Sequence, residues 1–260
     1  MLLIVMLLAA LFLASRALWW TLTLVITAMA AWEWGGLGGI GKRGRALLAA
    51  STLIIGALFL PGLWFNNLSL QAALGCMVLA VVFWIVFAPG LIGGLTRVPK
   101  FVIAPLGVIV LLAFWWALGV LRDTGPAWLL AVIATVAIAD SSAYFVGKKI
   151  GRHKLAPLVS PGKTWEGVAG AWLGVTLFWA ALHIYQGVNA WLLIIFWCML
   201  VLSIFGDLFE SLLKRRVGLK DSGDLLPGHG GILDRVDGLI PVLPFAVILL
   251  SVFDTSLIYG

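Results

Sequence analysis

Two pairs of acidic residues at the ends of neighbouring apolar segments share one spacing. Asp207 and Glu210 are three residues apart, and so are Asp234 and Asp237. Each pair therefore falls on one face of a helix. Asp221 and Asp224 lie between the pairs. Carboxylates gathered at one depth repel unless a cation sits among them. All-oxygen ligands suit a hard cation such as Mg²⁺, which binds through one or two carboxylates plus substrate phosphates. Zinc fits poorly, because His229 is the only nearby nitrogen ligand and neither Cys76 nor Cys198 is close in sequence. Plainer uses exist for three of these acids. Glu210 can be neutralised by Lys214 one turn on, and Asp234 and Asp237 can cap the start of a helix. Asp207 has no such partner: it follows a long uncharged run, and no basic residue stands three or four positions after it.

Bases and glycines are interleaved with these acids. Lys214, Arg215, Arg216, Lys220 and Arg235 supply positive charge, and Gly230 and Gly231 in "PGHGG" let backbone N–H groups approach an anion. The same glycines would serve a tight turn. Acids for a metal, bases for phosphate and glycines for close approach form the equipment of phosphoryl or nucleotidyl transfer.

Two upstream segments add to it. "AVIATVAIADSSAYFVGKKIG" buries Asp140 in an apolar helix, where an ionisable group costs about 2.5–3.5 kcal/mol unless it is partnered or wet. A cavity-lining role suits it better than plain helix pairing through Ser141, Ser142 and Tyr144. The basic loop "KKIGRHKLAPLVSPGKTWEG" carries His153, Ser160, Lys163 and Glu166, of which Ser160 and Lys163 are candidates for phosphate contacts. Its "PGKT" is not the tail of a P-loop, because the required glycine five positions before Gly162 is Pro157. "HGG" has no Gly-x-Ser-x-Gly elbow to accompany it, which argues against a serine hydrolase.

The elements that must position these groups are membrane helices. The chain has 260 residues, 63% hydrophobic and 11% charged, with a mean hydropathy of +1.13. That composition excludes a soluble domain, and the continuous apolar runs exclude the alternation of a barrel. The expected fold is all-α, a polytopic integral membrane protein of about nine transmembrane helices forming one domain over residues 1–260. The segments lie near 2–14, 17–34, 46–65, 70–92, 101–120, 126–147, 164–185, 190–216 and 238–258, the first of them short for a span. A cytoplasmic N-terminus puts fifteen basic residues inside and only Arg16 and Arg122 outside. Nine spans would then leave the C-terminus outside. All the acids except Asp123 and Asp254 share the cytoplasmic side, so chemistry is expected there. The net charge of +6 is the mark of loops facing anionic lipid and does not imply nucleic acid.

"SLLKRRVGLKDSGDLLPGHGGILDRVD", residues 211–237, resembles the signature of the CDP-diacylglycerol synthases, or phosphatidate cytidylyltransferases, within a C-terminal region 203–238. "AAWEWGGL", "ADSSAYFVGKKIGRHKLAP" and "SPGKTWEG" resemble other stretches of that family in the same order. The resemblance implies transfer of a cytidylyl group from CTP to phosphatidate, giving CDP-diacylglycerol and pyrophosphate. It also implies a homodimer in a bacterial-type inner membrane, with a polar cavity facing the cytoplasm. Mg²⁺ is the implied cofactor, with a second cation left open. Asp207 and Asp234 are the leading metal ligands on this reading, and Asp221 and Asp237 the secondary ones. Lys220, His229 and Arg235 join them as catalytic candidates. Asp140, Ser160, Lys163, Lys214, Arg215, Gly230 and Gly231 are the substrate-binding candidates. The competing readings are a CTP-dependent kinase of a polyprenol or phytol, and an ion or anion transporter.

Overall fold

The computed structural model describes residues 2–60, 66–94, 100–223 and 230–253. His229, Asp224 and Asp254 lie outside them. Within them, helices occupy each of the apolar segments read from the sequence: α1 (Leu2–Leu13), α2 (Arg16–Leu37), α3 (Lys42–Leu58), α4 (Asn66–Val82), α5 (Ala88–Ile92), α6 (Lys100–Thr124), α7 (Pro126–Ile150), α8 (Trp165–Gln186), α9 (Leu192–Arg216) and α11 (Leu239–Phe253). A π-helical turn, Phe83–Phe87, joins α4 to α5 without a break. Five spans are long and apolar enough to cross a membrane: Gln71–Ile92, Val102–Thr124, Pro126–Ile150, Trp165–Gln186 and Leu192–Arg216. Exposed Leu, Ile, Val and Phe side chains cover their outer faces, Leu173, Leu177, Ile194 and Phe87 among them. Water would not tolerate such a surface, and lipid does. The chain is an integral, polytopic helical membrane protein.

Two departures from the expected pattern bear on the site. Residues 154–164 do not form a plain loop but a small antiparallel hairpin, β1 (Lys154–Ala156) with β2 (Ser160–Thr164), in which Lys154 faces Thr164 and Ala156 faces Ser160. Pro157 and Pro161 exclude helix here. The last apolar segment is also interrupted. A single turn, α10 (Leu233–Val236), carries Asp234, and the chain bends at Asp237 and Gly238 before α11 begins. Helix α9 stops at Gly218: its φ is +70°, and the amides of Gly218 and Leu219 close on the carbonyls of Arg215 and Lys214.

Aromatic side chains tie the helices together. Trp20 of α2 meets Trp115 and Trp116 of α6 edge-on at 5.2 Å each, and the Trp115 indole donates to the Trp20 carbonyl at 3.1 Å. A second cluster joins Trp34 of α2, Phe83 and Trp84 of the π turn, and Phe209 of α9. Trp34 donates to the Ile103 carbonyl at 2.8 Å, which satisfies its buried N–H. This cluster sits one residue along the chain from both Glu33 and Glu210, so it fixes the two helices that present those carboxylates.

The two arginines that the sequence sets apart from the other bases, Arg16 and Arg122, both have partners. Arg16 meets Asp123 at 2.8 Å, and Arg122 donates to the Leu11 and Ala14 carbonyls at the end of α1. A cation at a helix C-terminus complements its dipole. Between α7 and α8 the contact is made through small residues, as is usual where lipid gives no hydrophobic drive to association. A Cβ on Gly170 would stand 2.5 Å from Val146 Cγ2 and 2.6 Å from its Cβ. Gly170→Val should therefore force these helices apart and destabilise the protein by about 1–3 kcal/mol. Thermal unfolding in detergent, followed by tryptophan fluorescence, should show a clearly lowered midpoint.

Candidate active site

Helix α9 is 25 residues long, about 37 Å at 1.5 Å per residue, so its last turns outrun a hydrocarbon core of about 30 Å. Those turns carry Asp207, Glu210, Ser211 and Lys214. Gly206 allows the placement: a Cβ there would collide with the Asp237 carbonyl oxygen. Backbone thus passes against backbone, and Asp207 is brought to the bend that holds Asp237.

A cavity of about 750 Å³ lies between α7, the hairpin, α8, α9 and α10. Asp140, Asp207, Asp234 and Asp237 line it, together with Lys148, Lys154 and Lys163. Residues read separately from the sequence as an apolar-helix acid, a basic loop and a signature region thus share one wall. Ser160 lines the cavity too. Lys163 Nζ stands 2.5 Å from Asp207 Oδ2, and Ser211 Oγ donates to Asp207 Oδ1 at 3.3 Å. The basic partner that Asp207 lacks along its own helix comes from the hairpin.

The hairpin is held from both ends. His153 Nδ1 lies 2.7 Å from Glu166 Oε1, and the His153 amide donates to the same carboxylate. Thr164 is the N-cap of α8, accepting from the Gly167 amide at 3.1 Å. "PGKT" therefore runs as a strand straight into a helix, with no phosphate-binding loop between. Arg215 reaches the hairpin from α9 and donates to the Val159 carbonyl at 3.3 Å.

Asp234 is the most heavily bonded acid of the group. Its Oδ1 accepts from Lys214 Nζ at 2.7 Å; its Oδ2 accepts from the amides of Ser222 and Gly231, each at 2.9 Å, and has the Ser222 hydroxyl at 3.0 Å. Burial works against its charged form. The Lys214 ammonium and the two amides outweigh burial and hold its pKa down to about 2, from an ordinary value of 3.8. Asp237 is moved the other way. Burial pushes its pKa up, and the charge on Asp207 pushes in the same direction. Lys214 also bonds Glu210 Oε2 at 3.0 Å, the pairing expected one turn along α9.

The remaining candidates fall elsewhere. Lys214, read as a substrate contact, is spent between Glu210 and Asp234 and is not part of the cavity wall. The Gly231 amide is given to Asp234 rather than offered to an anion. Gly230 has φ +77°, a left-handed turn that suits glycine. Lys220, Asp221 and Arg235 are exposed and outside the wall. Two residues that close the network had been given no part. Glu33, on α2, is fully buried and bonds the signature loop; Ser222 stands between Glu33 and Asp234. Glu33 was detectable by the criterion that singled out Asp207, since it too lies in an apolar helix with no basic residue three or four positions away.

Do these residues fit a magnesium ion? The donor set is all oxygen, and the upward push on Asp237 beside Asp207 is the strain that a cation among them would relieve. Among the described residues no three His, Cys, Asp or Glu side chains form a ready metal cage. An ion held here would take one or two carboxylates and complete its shell with phosphates. The residues fit.

The chain matches the cytidylyltransferase family over residues 1–253, and it belongs to that family. Its relatives narrow the class. A phosphatidate cytidylyltransferase of Pseudomonas aeruginosa is 37% identical over 243 residues, which cover 86% of this chain and 84% of that protein. One of Thermotoga maritima is 42% identical over 168 residues, 60% of each chain. One of Mycobacterium tuberculosis is 33% identical over 201 residues, 72% of this chain and 61% of that protein.

The depressed pKa of Asp234 has a measurable consequence. An acid whose folded pKa lies below its unfolded value stabilises the fold above the unfolded pKa and loses that contribution as pH falls through the folded one. Between pH 6 and about pH 2 the wild type should lose roughly 2 kcal/mol of stability that Asp234→Asn, having no charge to lose there, does not. That loss should fall between about pH 4 and pH 2. Thermal unfolding of both proteins in detergent at pH 6 and pH 3 checks it.

Proposed function

We propose that this protein transfers the cytidylyl group of CTP to phosphatidate, giving CDP-diacylglycerol and pyrophosphate. The observation that carries the reading is the cavity wall on which Asp140, Asp207, Asp234 and Asp237 stand beside Lys148, Lys154 and Lys163. The name shared by its relatives supports it, and favours neither a lipid kinase nor a transporter.

A phosphate monoester is already an anionic nucleophile at neutral pH, so the reaction needs no strong base. It needs repulsion between anions overcome, attack aligned on the α-phosphorus, and the pyrophosphate leaving group stabilised. Lys163, with Lys148 and Lys154 on the same wall, neutralises the triphosphate, and Ser160 offers a hydroxyl beside them. The Lys163 ammonium is shared between Asp207 and the incoming phosphates. Asp207 and Asp237, with Asp234 beside them on the same wall, would hold Mg²⁺. When bound, the ion polarises the reacting phosphoryl oxygens and screens their charge. Apolar residues of the same wall, Val168, Leu200 and Ile204, face the lipid substrate. The N-terminus and the cavity face the cytoplasm in this reading, and the working protein is a homodimer.

Purified protein with Mg²⁺ should release pyrophosphate from CTP only when phosphatidate is present, and EDTA should stop it. Asp207→Asn, which keeps shape but removes charge, should lower turnover by several orders of magnitude. Release of CDP, with a polyprenol as acceptor, would move the protein to the lipid kinases. The orientation has its own test. With Cys76 and Cys198 replaced, single cysteines at the exposed positions Tyr185 and Lys220 should react with an impermeant maleimide from opposite faces of the membrane. Reaction of both from outside would overturn the cytoplasmic site.

A further inference from the structure

Glu33 is a carboxylate with no exposed surface, on a different helix from every other acid of the site. Its oxygens accept from three donors in the signature region: the Ile232 amide at 3.1 Å, the Leu233 amide at 2.8 Å and the Ser222 hydroxyl at 3.1 Å. Among the described residues no basic side chain pairs with it. Burying a charge in this way is costly unless its lone pairs are filled, and here N–H and O–H donors fill them. The two amides are the free N–H groups at the start of α10, which has no side-chain cap of its own. Glu33 supplies that cap from another helix.

The loop is shaped around this carboxylate. A Cβ on Gly231 would come within 2.6 Å of Glu33 Oε2 and collide with Ser222 Oγ, and one on Gly223 would come within 2.8 Å of Glu33 Oε1. Both glycines are therefore clearance for Glu33. Ser222 stands between two acids, with Glu33 Oε2 at 3.1 Å and Asp234 Oδ2 at 3.0 Å, and it has one hydroxyl hydrogen to give. Its own amide is given to Asp234 as well. The chain of contacts runs from α2 through Glu33 to Ser222 and to the amides flanking Asp234. Behind Glu33, Trp34 is locked against Phe209 and the Ile103 carbonyl, so the anchor itself is rigid.

We propose that Glu33 is a positioning residue: it holds the turn of α10, and with it Asp234 and Asp237, in the orientation in which they meet the metal and the triphosphate. This rests on the cytidylyl-transfer reading, but the geometry of the anchor does not.

Glu33→Gln preserves size but turns one acceptor into a donor that faces an N–H or O–H group. Glu33→Asp loses a methylene but keeps both acceptors. If Glu33 merely fills space, Gln should be tolerated and Asp should be the worse variant. The positioning role predicts the reverse order. Glu33→Gln should raise the Mg²⁺ concentration for half-maximal activity and lower kcat, each by at least about tenfold. Glu33→Asp should recover most of that loss. Amide exchange measured by mass spectrometry, without nucleotide or metal, should accelerate across residues 231–234 in Glu33→Gln and stay near wild type elsewhere. Ser222→Ala serves if Glu33→Gln does not fold, and should also raise the Mg²⁺ requirement. A folded Glu33→Gln protein with wild-type exchange and Mg²⁺ dependence would overturn the proposal, as would an unaltered Ser222→Ala protein. Accelerated exchange in a protein whose wild type turns over no CTP would uphold the anchor and remove the reaction.

Discussion

Like charges held together at the edge of a membrane repel more strongly than any single helix contact attracts, and the half of this protein that carries the acid cluster is organised around that repulsion. Each acid is given its own compensation. Asp207 takes an ammonium from the hairpin, Asp234 an ammonium and two amides, and Glu33 two amides and a hydroxyl. Asp237 accepts from the Gly238 amide at 2.7 Å but pairs with no basic side chain among the described residues, and burial together with the Asp207 charge drives its pKa upward. The uncompensated charge lies where a cation and a triphosphate would enter.

The hairpin and the broken last helix follow from the same constraint. The bend after α10 keeps Asp234 and Asp237 at the cavity while α11 returns to the apolar interior. The hairpin brings Lys163 to a helix whose own sequence has no base in reach of Asp207. Leu233 and Ile232 bury apolar surface at α10, and Val159 does so at the hairpin. Both pieces are also held by polar contacts, through Glu166, Thr164 and Arg215 for the hairpin, and through Glu33 for α10.

What could be read from the sequence divides by the range of the interaction. Helix positions were legible because continuous apolar runs have few other ways to fold in lipid, and Gly218 marked its helix end by its own backbone preference. The Glu210–Lys214 pair was legible as well, being one turn apart. Contacts across long separations were not. Nothing in the spacing of residues 154–164 says that Lys163 will find Asp207, and a proline-bounded basic loop is compatible with many paths. Lys214 and Gly231 were assigned to substrate because bases and glycines near acids suit phosphate. In the fold the acids themselves take up both groups. Glu33, 189 residues before Ser222, could be marked as unusual by its apolar setting, but its partner could not be named.

The π turn at Phe83–Phe87 carries a different kind of information. A turn closed from residue i to i+5 accommodates one residue more than the α-helix on either side, so the flanking helices keep their faces although their registers are offset by one. The widened turn is what lets two successive residues, Phe83 and Trp84, both reach Phe209. Such a turn is how a helix absorbs a single-residue insertion without rotating its far half out of place. The aromatic packing behind Glu33 and Glu210 therefore depends on a turn one residue wider than an α-helix, one that deleting any one residue of Phe83–Phe87 would close.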